Sequence, residues 1–183
     1  QAQDMLDDLE QEINSAWPKE KIITPDDVRG EHPDVSTAVT TTGWPLLDSS
    51  RGKAIFVLLG GGDLRTDYHS KFPNLENATM FTMSVENTPE SAIFSNTNPI
   101  GNAEEIQALV EAGYIVRSRA DDAEGGEADN NETERRDKAI EIGAHSISTD
   151  YPTQVDGIEY WLDLNVRCNP ISAPPDCSDY AIE

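Results

Sequence analysis

Two stretches in the last third of the chain follow one plan. The first reads Glu111-Ala-Gly-Tyr-Ile-Val-Arg-Ser-Arg-Ala-Asp121 and the second Ile142-Gly-Ala-His-Ser-Ile-Ser-Thr-Asp-Tyr-Pro152. In each, a glycine stops a helix, a short apolar core follows, and the segment then turns polar or charged. Repetition of such a unit restricts the chain to parallel strands joined by helices. Earlier apolar runs, Lys53 to Leu59 and Ala78 to Ser84, supply two more strands. Strand centres at Phe56, Phe81, Val116 and Ile147 are 25, 35 and 31 residues apart. That is the rhythm of successive βα units, and it excludes a β-sandwich.

The connecting segments carry helical signals. Residues 4–17 place Met5, Leu6, Leu9, Ile13 and Trp17 on one stripe, ended by Pro18. Thr24-Pro-Asp-Asp27 is a helix start, and Val35 to Thr42 and Leu46 to Arg51 read as short helices. Pro89 to Ser95, Ala103 to Ala112 and Glu132 to Ile142 read as further helices. Gly60-Gly-Gly62 breaks the first strand without the spacing of a dinucleotide-binding turn and reads as a loop. After Pro152 the chain is Pro-rich and irregular, with one short strand expected at Glu159 to Leu164. The expected fold class is therefore α/β. About four βα units fit part of a (β/α)8 barrel, and the alternative is an open, doubly wound sheet.

Charge narrows the function. The chain of 183 residues carries 35 acidic and 13 basic side chains, a net charge of −22. Phosphate backbones and anionic lipid surfaces attract basic proteins, so nucleic acid is excluded as a partner. Divalent cations, basic partners or high salt remain compatible. No apolar run reaches the length of a membrane span. The first residues are polar and acidic, so a secreted form would already have lost its leader.

Cys168 and Cys177 flank a Pro-rich loop and read as a local disulfide. Two free thiols, or a bond to another chain, are the alternatives. Asn77-Ala-Thr79 and Asn131-Glu-Thr133 are glycosylation sequons in polar stretches. Together with the cysteines they lean toward a secreted or extracellular protein.

Several motifs recur in order: Ile22-Ile-Thr-Pro-Asp-Asp-Val-Arg-Gly30, Gly43-Trp-Pro45, Arg51-Gly-Lys-Ala-Ile-Phe-Val57, the two strand ends quoted above, Arg135-Arg-Asp137 and Arg167-Cys-Asn-Pro170. With them the chain resembles the secreted calcium-dependent phosphatidylinositol-specific phospholipase C family over roughly residues 1–177. Its Ser148-Thr-Asp-Tyr-Pro152 end is also similar to the strand end of glycerophosphodiester phosphodiesterases, which share that barrel superfamily. The resemblance implies a phosphoric diester hydrolase acting on a phosphoinositide or glycerophosphodiester. It implies calcium as cofactor, with ligands mainly outside this chain.

The resemblance covers the family's second half, so residues 1–152 are expected to form the carboxyl-terminal half of a (β/α)8 TIM-type barrel and 153–183 a tail. The family's His-Asn-Ser-Tyr-His motif, its acidic Glu-Leu-Asp strand, its second histidine and its Glu-Leu-Lys strand do not occur here. A missing amino-terminal half-barrel or second chain is then the expected partner, bringing the general acid and base. Leu59-Gly60 also stands where the family often has Asp-Asn.

The site candidates come from strand ends. Arg117 and Arg119 alternate, so they share one face, and guanidinium forks suit phosphate. Asp150 and Tyr151 end the last strand and can orient or stack on a substrate. Asp121, just past its strand, is a weaker candidate. The acidic stretch Asp121 to Glu134 lacks EF-hand spacing and reads as a solvated loop rather than a calcium site. His32 and His145 read as structural; His69, in the long loop expected after the first strand, alone could approach a site. The competing reading is a non-catalytic extracellular binding or structural protein on a degenerate barrel of this type.

Overall fold

A computed structural model describes residues 2–122, 125–162 and 168–178. The chain divides into two compact units, residues 1–94 and 95–183.

The first unit opens with α1 (Ala2–Ala16). Leu6 and Ile13 are buried and Leu9 packs against the same core. Met5 and Trp17, expected on that stripe, are exposed; Trp17 meets the edge of Phe56 instead. A 3₁₀ turn at Lys19–Lys21 leads into α2 (Pro25–Arg29). Thr24 and Asp27 cap α2 reciprocally, each side chain binding the other's backbone N–H. Then come α3 (Val35–Thr41), capped by Asp34, and the single turn α4 (Leu47–Ser50).

Strand β1 (Phe56–Leu58) precedes α5 (Asp63–Lys71), and β2 (Met80–Thr82) follows. β1 and β2 pair in parallel, Phe56 opposite Met80 and Leu58 opposite Thr82. All three residues of β2 are buried, the pattern of a parallel strand covered on both faces. Leu6, Ile13, Leu58, Tyr68, Leu75 and Met80 make the core of this unit. Tyr68 is fully buried, and its hydroxyl bonds Glu10 and the Met80 backbone N–H. Desolvation and the neighbouring Glu10 push its pKa up.

The segment expected to be a helix at 89–95 is partly β3 (Ile93–Ser95). The Ser84 hydroxyl takes the N–H groups of Ala92 and Ile93, and Met83 bridges Ile93 in parallel. These contacts hold the chain extended, and the buried run Ala92, Ile93 and Phe94 packs as a strand.

The second unit contains α6 (Ala103–Glu111), β4 (Ile115–Arg119), α7 (Glu134–Glu141) and β5 (Ser146–Ser148). Its sheet is ordered β3-β4-β5, entered through Ser95. β4 and β5 pair in parallel, with Arg117 opposite Ser146 and Arg119 opposite Ser148. Ile106, Leu109 and Val110 form the buried face of α6. Gly113 (φ 99°) and Gly143 (φ 74°) turn α6 and α7 into their strands, in backbone regions that side chains resist. A Cβ on Gly143 would also come within 2.8 Å of Asn169 and Ile171.

Cys168 and Cys177 form a disulfide. Its loop docks on the turn before β5: the Asn169 amide donates to the Gly143 carbonyl at 2.8 Å, and Ser172 Oγ lies 3.3 Å from His145 Nε2. Residues 159–162 carry no regular strand, contrary to expectation; Asp163, Leu164 and Arg167 lie outside the described residues. The architecture is mixed α/β with parallel pairing.

Candidate functional site: a polar face across β4 and β5

Burial alternates along β4: Val116 and Ser118 point into the unit, and Ile115, Arg117 and Arg119 are partly open. The parallel register carries this parity onto β5, so Ser146 and Ser148 share the face of the two arginines. Arg117 donates through Nη1 to Ser95 Oγ at 3.2 Å and through Nη2 to Ser148 Oγ at 2.9 Å. Arg119 Nη2 donates to Asp150 Oδ2 at 3.2 Å. Its Nε is buried without a partner among the described residues. Buried polar atoms are nearly always paired, and this N–H is an exception.

Asp150 is thus drawn onto the arginine face as an ion-pair partner. Tyr151 is half-buried and meets the ring of Tyr160 edge-on, with centroids 5.9 Å apart. Asp121 is 1% exposed. Its carboxylate accepts from Thr149 Oγ1, from the Asp150 N–H at 2.8 Å and from the Tyr160 hydroxyl at 3.2 Å. The single phenolic proton is shared with the Ala120 carbonyl, which is nearer at 2.9 Å. Burial and the Asp121 charge raise the Tyr160 pKa, so the phenol stays protonated. Tyr160 and Ser95 have no motif around them that marks them for this site; Ser148 opens the Ser148-Thr-Asp-Tyr-Pro152 end, but nothing in that run pairs it with Arg117.

The acidic loop after β4 is organised by Arg135, which binds Glu127 at 2.9 Å and the Thr97 carbonyl at 2.6 Å. Burial raises the Glu127 pKa, but hydrogen bonds from Arg135 and from backbone N–H groups outweigh it and hold the carboxyl below its ordinary value. Arg136 lies over Tyr160, 5.5 Å from the ring centroid, and donates to the Trp161 carbonyl at 3.1 Å.

The histidines are placed differently. His145 precedes β5, and its Nδ1 accepts the Val116 N–H at 3.2 Å. Nε2 must then carry the proton, and desolvation keeps the pKa below the usual imidazole value. His69 belongs to the first unit, on α5, with Nε2 2.9 Å from Thr82 Oγ1. Thr82 shares its side of β2 with Met80, the side packed on Tyr68. Desolvation lowers the His69 pKa, which Glu90 raises and Arg65 lowers further. His32 Nε2 meets Thr42 Oγ1 at 2.7 Å. Asn77 and Asn131 are both exposed.

A family model described as Ca2+-dependent phosphoinositide phospholipase C matches residues 1–170. The chain belongs to this family. No curated relative and no solved structure matches it. The family's calcium does not fit what is present: among the described residues no three His, Cys, Asp or Glu side chains converge as a metal site requires. No reaction step is therefore drawn through calcium. No described helix is long and apolar enough to cross a membrane.

Proposed function

We propose that this phospholipase C-like chain supplies the substrate-phosphate face of a secreted phosphoric diester hydrolase, with a phosphoinositide or glycerophosphodiester as substrate. Residues 1–152 are read as the carboxyl-terminal half of a (β/α)8 barrel and 153–183 as its tail. Parallel pairing in chain order, β1 with β2 and β4 with β5, supports that reading. The observation that carries the function is the pair Arg117 and Arg119 on one partly open face at the carboxyl end of β4.

Arg117 is steered by two serine hydroxyls, which are neutral partners. Asp150 orients Arg119. A phosphate oxygen at this face would meet two cations at the carboxyl end of a strand, where parallel α/β folds place their sites. Tyr151 borders the face and can pack on a polyol ring. The proton transfers of phosphodiester cleavage need an acid and a base. These are assigned to histidines outside this chain, on a partner half-barrel, together with the calcium ligands. The disulfide is compatible with an extracellular location, where Asn77 and Asn131 would accept glycans.

The second reading, a non-catalytic binding protein, is favoured by the engagement of His32, His69 and His145 in contacts of their own. The phosphate-binding face, common to both readings, is tested by calorimetric titration with myo-inositol 1-phosphate. The expected result is saturable binding, weakened about tenfold or more by Arg117→Ala, as loss of a charge-assisted hydrogen bond requires. Equal affinity in wild type and variant overturns the assignment of Arg117.

A further inference from the structure

We propose that Asp121 is a positioning residue, which sets the Arg119–Asp150 pair by clamping the end of β5 to the tail. Its bearing on ligand affinity rests on the phosphate reading above; its bearing on the pair does not.

Asp121 follows β4 and sits two residues beyond Arg119, yet it is buried while Arg119 opens onto the polar face. Its acceptors are occupied by its own chain, by Thr149 and Asp150 from the end of β5 and by Tyr160 from the tail. No contact aims it at a ligand. The bond to the Asp150 N–H fixes the backbone at the residue whose side chain holds Arg119.

Two further bonds stiffen the same turn. The Tyr151 N–H donates to Thr149 Oγ1 at 2.9 Å, and the Leu162 N–H donates to the Tyr151 carbonyl at 2.9 Å. Tyr160 closes the arrangement: its hydroxyl reaches across 39 residues to Asp121 and its ring packs on Tyr151. A buried carboxylate taking several donors is costly to disrupt, because each donor left behind loses its partner. Removing Asp121 therefore frees the β5 turn, and Asp150 loses its fixed place opposite Arg119. The tail at 158–162 becomes part of the site through this connection, although it touches neither arginine in any bond described.

The experiment uses nitrogen-15 NMR of the arginine side chains in the whole chain, with calorimetry on the same samples. Arg119 Nε is buried, so its proton is expected to exchange slowly with solvent while the pair is held. Asp121→Ala is expected to speed that exchange by about tenfold or more and to weaken myo-inositol 1-phosphate binding by a similar factor. Asp121→Asn is expected to recover most of both, because the Thr149 and Tyr160 hydroxyls can reverse to accept from its amide. Tyr160→Phe, a milder lesion, serves if Asp121→Ala does not fold, and moves both readouts the same way. Ile106→Ala is the control: it truncates a buried α6 side chain and costs stability away from the turn. The proposal is overturned if Asp121→Ala and Tyr160→Phe change Arg119 exchange no more than Ile106→Ala does at equal residual stability. If wild type fails to bind the probe, the phosphate reading falls, and the exchange rates still decide the role of Asp121.

Discussion

Arg119 directs one guanidinium nitrogen at Asp150 and buries another, whose partner is not among the described residues, whereas Arg117 donates to Ser95 and Ser148. Arg119 therefore makes an ion pair, and under the function proposed above Arg117, held by serines, is the cation that remains for a phosphate. The alternation Arg117-Ser-Arg119 is readable from the period of a strand, and the position of Asp150 from the strand's end. Ser95, Tyr160 and the pairing of Ser148 with Arg117 are not readable, because each contact spans 22 residues or more. Local sequence carries no trace of such pairings. At this scale acid has a defined effect. His69 and His145 have folded pKa values below the ordinary 6.5. Neutral imidazoles thus contribute stability that is fully present above pH 6.5 and is lost as pH falls through the lowered folded values. Thermal melts are expected to fall between pH 7 and 5, and His69→Gln is expected to flatten that slope. A slope unchanged in the variant would remove His69 from the account.

Among the elements, those with strong punctuation are legible. The capped start at Thr24, the amphipathic α6 and the glycines closing α6 and α7 all stand where the sequence places them. β3 departs from the helix expected there because a short apolar run buried on all sides has no period to separate strand from helix; Ser84, nine residues before Ile93, decides it. α5 falls where a loop is expected, because only Tyr68 of its nine residues is buried and no apolar stripe marks it. Gly143 gives a test at this scale. Its left-handed backbone and its contact with Asn169 and Ile171 leave no room for a side chain. Gly143→Ala should therefore destabilise the chain by about 1–3 kcal/mol in urea titration. It should also loosen the disulfide loop that docks there. A loss within a few tenths of a kcal/mol would mean the loop does not press on this turn.

For the whole molecule, charge is the dominant property. A net charge of −22 on 183 residues repels itself in the folded state, and salt screens that repulsion. The melting temperature is expected to rise from low to near-molar sodium chloride; a flat or falling curve would show that local pairs such as Arg135 with Glu127 outweigh the net field. Against this acidic background, Arg117 and Arg119 are two of only 13 basic side chains, and they stand on one face at a strand's end. Family membership gives that placement a chemical meaning, since a phosphoinositide phospholipase C acts on a phosphodiester. Composition and strand rhythm convey the α/β class. The calcium and the acid–base pair leave no mark in the described residues, so only the binding of phosphate is assigned to this chain.

That claim is tested most directly by calorimetric titration of myo-inositol 1-phosphate into wild type, Arg117→Ala and Arg119→Ala at two salt concentrations. One saturable site is expected in wild type, weakened by added salt and by about tenfold or more in each variant. Absence of binding in wild type, or binding that both variants retain in full, would contradict it.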